Sequence, residues 1–300
     1  MSNKRILIIA NPNSGKAKMK KELMYVVKNF SDEGYEVSVY PTKERADATV
    51  RAEQIKDGEY EMVIVCGGDG TLNEVITGIM RAGVNCKIGY VPAGTLNEWS
   101  QGLGISHKIK KAAKDILTGK EITLDIGKFG DKYFTYTASF GAFTSVSYST
   151  PQGMKNVLGQ AAYFIGGIKS LGSIKSNHLK LILDDKEIEG DFLFGAVSNS
   201  MSVGGIVKFK ENVVKLNDGL FEVLLIRKPN NILKLQPIVD GLLKKNFDRE
   251  GIEFLHASKV EIECKDGLAW TLDGEYSSSN GKFTIENIHN AIRFVVPDKN

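Results

Sequence analysis

Cysteine is scarce in this chain: Cys66, Cys86 and Cys264 are scattered and odd in number among 300 residues. That speaks against a disulfide framework or a cysteine-ligated zinc site and fits reduced thiols in a cytosolic protein. Charge of one sign is also lacking. A formal net charge of +3 is too small to mark a nucleic-acid binder. No uninterrupted apolar run is long enough to cross a bilayer, and Met1 to Arg5 lead directly into a strand without an apolar leader. The expectation is a cytoplasmic protein, with peripheral contact at the inner face of a membrane left open. Two familiar phosphate signatures are missing too. Neither Asn11 to Lys16 nor the later glycine loop has P-loop spacing, and Asn73 stands where a dinucleotide fingerprint needs its last glycine.

What is present is an ordinary globular composition, 42% hydrophobic and 25% charged, enough for one large or two medium domains. The first third alternates strand and helix. Strands are expected at 5–10, 36–40, 62–66 and 87–91, with helices at 17–32, 45–56, from Thr71 or Leu72 to about Arg81, and at 108–117. Repeated βα units imply a doubly wound parallel sheet. From Glu121 onward β-rich stretches dominate, which points to an antiparallel sandwich or partial barrel with helical insertions near 153–171 and 232–244. The fold class expected is α/β, with residues 1–121 forming a nucleotide domain and 122–300 a larger β-sandwich domain. The last strand is free to return to the first. The two domains should face each other across a cleft, a common place for a ligand.

Three loops follow predicted parallel strands. These are Asn11-Pro12-Asn13-Ser14-Gly15, then Gly67-Gly68-Asp69-Gly70-Thr71, then Pro92 to Asn97 with Gly94 and Thr95. In parallel sheets, loops at the carboxyl ends of the strands gather at one edge, where ligands bind. Glycines there let backbone approach a ligand, and helix starts offer N–H donors to an anion. Asp69 is out of place in a phosphate cradle unless a cation such as Mg²⁺ lies between. Plain turn chemistry, with Ser14 as a helix cap, is the alternative for each loop taken alone.

Together with Leu272-Asp273-Gly274-Glu275, these loops match in order the motifs of the diacylglycerol kinase catalytic family, and the chain resembles that family over essentially its whole length. Bacterial soluble lipid kinases and sphingosine kinases belong to it. NAD kinases carry a similar glycine loop, but a late Asp-Gly-Glu inside a β-domain favours the lipid kinases. The resemblance implies an ATP- and Mg²⁺-dependent kinase phosphorylating a lipid hydroxyl, with diacylglycerol to phosphatidic acid the leading reading. An NAD kinase-like enzyme and a nucleotide-binding regulator without catalysis are the alternatives.

Carried onto this chain, the resemblance makes Asp273 the base, assisted by Glu275, although an Asp-Gly in β-rich sequence is by itself a hairpin turn. ATP contacts are implied at Asn11 to Gly15, Thr42, Gly67 to Glu74 (including Leu72, Asn73 and Glu74), Gly94, Thr95 and Asn97. Asp69 and Asp125 join a catalytic Mg²⁺ network. Glu98 stands where the family commonly has Asp, and it is one methylene longer. A second, structural Mg²⁺ is implied at Asp218 with the carbonyls of Lys215 and Leu220, where Asp218-Gly219 could instead be a plain turn. A homodimer is a family-level expectation.

Phe140, Phe143, Tyr148, Tyr163, Phe164, Ile165 and Ile168 could line an acyl-chain groove, with simple core as the other reading. The Gly166-Gly167 pair hints at a lid. Lysines cluster at 108, 110, 111 and 114 and again at 208, 210 and 215, a solvated face or a patch for anionic lipid headgroups.

Overall fold

Four runs of β-branched and aliphatic residues build the first sheet. β1 (Arg5–Ala10), β3 (Met62–Gly67) and β4 (Lys87–Pro92) are buried almost throughout, as strands covered on both faces must be. β2 (Glu36–Pro41) alternates towards solvent at the sheet edge. All pair in parallel in the order β2-β1-β3-β4. In this computed structural model, residues 4–95, 97–141, 175–200, 202–203, 207–208, 214–231 and 234–298 are described. The helices of this sheet are α1 (Ser14–Ser31), α2 (Asp47–Glu53), α3 (Asp69–Ala82), α4 (Glu98–Leu103) and α5 (Ile109–Thr118). Gly78 lets α3 lie close on α2, since a Cβ there would stand 2.5 Å from the Thr49 carbonyl oxygen.

The remaining strands are β5 (Lys120–Phe129), β6 (Lys132–Phe134), β7 (Thr137–Gly141), β8 (Asn177–Leu183), β9 (Lys186–Ser198), β10 (Ser202–Val203), β11 (Val207–Lys208), β12 (Phe221–Arg227), β13 (Ile252–Ala257), β14 (Lys259–Cys264), β15 (Ala269–Leu272), β16 (Glu275–Ser278) and β17 (Lys282–Val296). Among the described residues one helix, α6 (Leu235–Leu243), lies among these strands. The chain divides into two compact units, Met1–Asp125 with Asn290–Asn300, and Ile126–His289, so β5 and β17 each run through the division. In the first unit the end of β17 adds a parallel strand beside β4, with Arg293 opposite Lys87. Arg293 also grips Glu121 through Nε and Nη2 at 2.6 and 2.8 Å.

The second unit is antiparallel throughout its described pairings. One core contains Phe134, Phe140, Phe192, Phe221 and Trp270. Leu224, Ile226 and Ile252 form another with Ile238 and Leu242 of α6. Phe140 sits against Trp270 with ring centroids 4.9 Å apart and is fully buried, so it is core and not groove lining. The other residues read as a groove or lid, Phe143, Tyr148, Tyr163, Phe164, Ile165, Gly166, Gly167 and Ile168, lie outside the described residues, as do Lys210 and the helix expected at 153–171.

Two helix starts differ from expectation. α1 begins at Ser14 rather than Ala17, and α3 begins at Asp69 rather than Thr71. A glycine costs little in a first turn, and an acid there is favoured by the helix dipole. Gly70 is therefore helical, and the loop itself shrinks to Gly67 and Gly68.

Candidate functional site

The three loops of the first unit meet at the carboxyl edge of its sheet. Gly15 has φ +56°, and a Cβ on it would lie 2.0 Å from the Ala93 carbonyl oxygen. A Cβ on Gly94 would lie 2.6 Å from the Cα of Gly68, so backbone touches backbone. Asn11 Nδ2 donates to Thr71 Oγ1 at 3.4 Å, and the Asn11 N–H donates to the Cys66 carbonyl at 2.8 Å. Thr42, buried at the end of β2, donates its N–H to the Ala10 carbonyl at 2.8 Å. The amino ends of α1 and α3 open side by side here, and neither has a side-chain cap bond. Ser14 is thus not a cap; Asn13 holds that position, with its N–H donating to Asn11 Oδ1 at 2.9 Å. Paired uncapped helix starts flanked by glycine form an anion cradle.

Several expected nucleotide contacts serve the loops themselves. Asn97 has φ +51° and closes the third loop through Oδ1, which accepts the Gly94 N–H at 2.9 Å, and Nδ2, which donates to the Gly94 carbonyl at 3.0 Å. Glu74 Oε1 accepts the Ala46 N–H at 3.0 Å. Thr77 Oγ1 donates to Asn73 Oδ1 at 3.4 Å, and the Leu72 side chain is core. Pro12, Asn13 and Thr95 are at least partly exposed on the loop rims. Cys66, behind the glycines, is an inert thiol, because burial pushes its pKa up to about 12.

Asp69 caps α4. Its Oδ2 accepts the Glu98 N–H at 3.1 Å and Oδ1 the Trp99 N–H at 3.4 Å. Burial holds its carboxyl above the usual range, and those N–H bonds oppose the rise. Asp125 is completely buried, with Oδ1 accepting the Asn290 N–H at 2.7 Å. Among the described residues no three His, Cys, Asp or Glu side chains group closely enough to hold a metal directly. Asp69, Glu98 and Asp125 are therefore not a ready-made coordination shell. Their donors are hard oxygens suited to Mg²⁺, which keeps several of its waters.

In the second unit Asp273 and Gly274 form a two-residue hairpin turn between β15 and β16, with φ +48° and +88°. The turn alternative is therefore realised, but its carboxylate is not idle. Oδ2 accepts the Thr135 N–H at 2.5 Å and the Thr135 hydroxyl at 2.7 Å; Oδ1 accepts the N–H groups of Tyr136 at 3.0 Å and Thr137 at 2.9 Å. A second turn aspartate, Asp184, offers a comparison. It accepts the Ser258 N–H, the Ser258 hydroxyl and the Lys259 N–H at 2.8–3.0 Å. At Asp184 desolvation is outweighed by these donors and the pKa falls, whereas at Asp273 desolvation wins over its four donors and the pKa rises. A raised carboxyl is compatible with proton transfer, and Asp69 and Glu222 share that direction. Glu275, next on β16, is exposed.

The turn at Asp218 is also formed, with Oδ1 accepting the Leu220 N–H at 3.1 Å and Gly219 at φ +79°. Lys215 is exposed. Nearby Glu222 is 1% exposed, and its Oε2 has no hydrogen-bond partner among the described residues. Burial, reinforced by the Asp218 charge, pushes its pKa up to about 8. Sequence reasoning missed Glu222 and Thr135. The signal for the first was available as a lone acid in the apolar strand Phe221 to Ile226; for the second there was none.

An α/β unit with three convergent phosphate-type loops, joined to an antiparallel sandwich bearing a desolvated aspartate, defines a class of two-unit kinases. Residues 5–129 match the Diacylglycerol kinase catalytic domain, and residues 138–295 match the YegS C-terminal NAD kinase beta sandwich-like domain. Diacylglycerol kinase of Bacillus subtilis (strain 168) is 32% identical over 296 residues, covering 98% of this chain and 97% of that protein. Diacylglycerol kinase of Staphylococcus aureus (strain MRSA252) is 34% identical over 274 residues, covering 91% and 86%. A crystal structure from Bacillus anthracis str. Sterne superposes with a TM-score of 0.82 at 25% identity, covering 99% of this chain and 97% of that one. The chain belongs to the diacylglycerol kinase catalytic family and is a kinase.

Proposed function

We propose that this kinase transfers the γ-phosphate of ATP to the free hydroxyl of diacylglycerol, giving phosphatidic acid. The observation that carries the nucleotide half is the backbone-to-backbone approach of Gly15, Gly68 and the Ala93-Gly94 segment beneath two uncapped helix starts. That arrangement offers N–H donors and space to a polyphosphate and has little use in an ordinary turn. The acceptor half draws on the relatives named diacylglycerol kinase, which match nearly the full chain. The same matches weigh against an NAD kinase.

Asp273 acts as the base. It takes the proton of the lipid hydroxyl, whose oxygen bonds to the γ-phosphorus as the bond to the ADP oxygen breaks and ADP leaves with that electron pair. Glu275 assists by its position on the same hairpin. Asp69 and Asp125 would hold Mg²⁺ through water, and the ion would supply charge neutralisation for the transferred phosphate. Glu98, one methylene longer than the family's usual Asp, would stand beside that ion as a further oxygen donor. A second Mg²⁺ at Asp218, Lys215 and Leu220 is favoured by the orphaned buried oxygen of Glu222 beside it.

The lipid is met at an anionic membrane surface. α1 and α5 pack together, with Asn29 Nδ2 donating to the Ala113 carbonyl at 3.1 Å and Lys110 Nζ 5.0 Å from the Tyr25 ring centroid. α1 carries five lysines against one acid and α5 three against one, and Met24 stands 73% exposed on α1. Such a face suits anionic headgroups with an apolar anchor. Among the described residues no helix is long and apolar enough to cross a membrane. Incubation with labelled ATP, Mg²⁺ and a total lipid extract tests the assignment. Label in phosphatidic acid is expected; label in NADP, or in no product, rejects it.

A further inference from the structure

A carboxylate offers about four lone-pair positions, and at least four donors reach Asp273, enough to fill that number. A base needs one of them for the proton it takes. Three of the donors are N–H groups of consecutive residues, Thr135 to Thr137, and they cannot turn away without moving the chain. That chain is held. The Tyr136 carbonyl accepts the Ser198 hydroxyl at 2.9 Å and the Asn199 N–H at 3.0 Å, and the Thr137 carbonyl accepts the Asp273 N–H at 2.9 Å. The fourth donor is the Thr135 hydroxyl, which swings by rotation about one side-chain bond. It also sits on Oδ2, beside the N–H of its own residue.

We propose that Thr135 is the positioning residue of the base: its hydroxyl holds Oδ2 in the resting enzyme and yields that lone pair to the hydroxyl of the acceptor. This rests on Asp273 being the base. In the exchange no covalent bond of Thr135 changes; one O–H···O bond to Oδ2 is replaced by another, and the acceptor's proton then moves to Oδ2. Among the described residues the titratable neighbours on the surrounding elements include Tyr136, whose hydroxyl donates to the Asp273 carbonyl at 3.1 Å, Glu275 on β16, and Lys132 on β6, which donates to Ser277 Oγ at 3.0 Å.

The test is the pH dependence of kcat/KM in Thr135→Val, Thr135→Ala and Thr135→Ser, with thermal unfolding as the check on folding. Removing a donor to the ionised carboxylate disfavours that form, so the acid limb should move up by about one pH unit in the Val and Ala variants. The Ser variant should keep the wild-type limb. A wild-type limb in both hydroxyl-free variants, with only amplitude or unfolding midpoint altered, overturns the proposal and leaves Thr135 a structural residue. Asp273→Asn separates the two levels. Full activity in that variant rejects the base itself, whereas an inactive Asp273→Asn beside an unmoved Thr135→Val limb rejects only the role of Thr135.

Discussion

Gly70 occupies the first turn of α3, and a Cβ built on it meets no atom within 4 Å. Nothing in the fold demands glycine there. Alanine is the better helix former, by about 0.5–1 kcal/mol in a helix interior and by less in a first turn, so Gly70→Ala should stabilise the protein by up to about 0.5 kcal/mol and raise the unfolding midpoint by roughly 1–2 °C. If α3 presents its first N–H groups to nucleotide phosphate, the new methyl stands where the ligand must come close. A loss of at least about tenfold in ATP affinity, or ~1.4 kcal/mol, is then expected. Calorimetric titration with ATP and Mg²⁺, paired with thermal unfolding of the same samples, reads both effects. A variant that is more stable and binds ATP as well as the wild type would refute the phosphate role of this loop. The opposite signs of the two effects are the diagnostic, because a merely damaged loop would lose both.

Gly15→Ala and Gly34→Ala separate strain from collision: both have positive φ, but only Gly15 faces a carbonyl oxygen at 2.0 Å. In urea, Gly34→Ala should cost about 1 kcal/mol and Gly15→Ala about 2–4 kcal/mol, with ATP binding lost only in the latter. Glu222 has a folded-state pKa raised from 4.5 to about 8, so the folded form keeps a proton that the unfolded chain releases between those values. Stability should fall as pH rises through that window, by at most about 5 kcal/mol. Glu222→Gln, unfolded in urea with chelator at pH 5.5 and 8.5, should flatten the dependence; parallel curves for both proteins would contradict it. Reversing two exposed lysines, Lys18→Glu with Lys114→Glu, should weaken sedimentation with phosphatidylglycerol vesicles by tenfold or more at low salt and leave turnover of a dispersed short-chain substrate unchanged. Equal vesicle binding would place the membrane face elsewhere.

The parallel sheet and its three loops were legible because the signals are local: buried runs such as Val63 to Val65, with glycine or proline within a residue or two of the end. The convergence of Gly15, Gly68 and Gly94 followed from parallel topology alone. The helix α4 was not legible, since its start depends on Asn97 in a left-handed conformation and on a cap from Asp69, 29 residues earlier. Strands β13, β15 and β16 carry little local signal, because their pairing partners, not their own composition, decide them. The clamp on Asp273 joins residues 136 to 138 positions apart, and no local pattern announces it. Phe140 shows the reverse failure, an aromatic whose sequence neighbourhood suggested a groove and whose cross-strand partner Trp270 makes it core.

Formation of phosphatidic acid from diacylglycerol in mixed micelles with ATP and Mg²⁺, for the wild type and Asp273→Asn side by side, tests lipid phosphorylation through Asp273 most directly. The wild type should turn over, and the variant should fall by at least about a hundredfold while binding ATP with unchanged affinity. Phosphatidic acid formed equally by both proteins, or by neither, would contradict it.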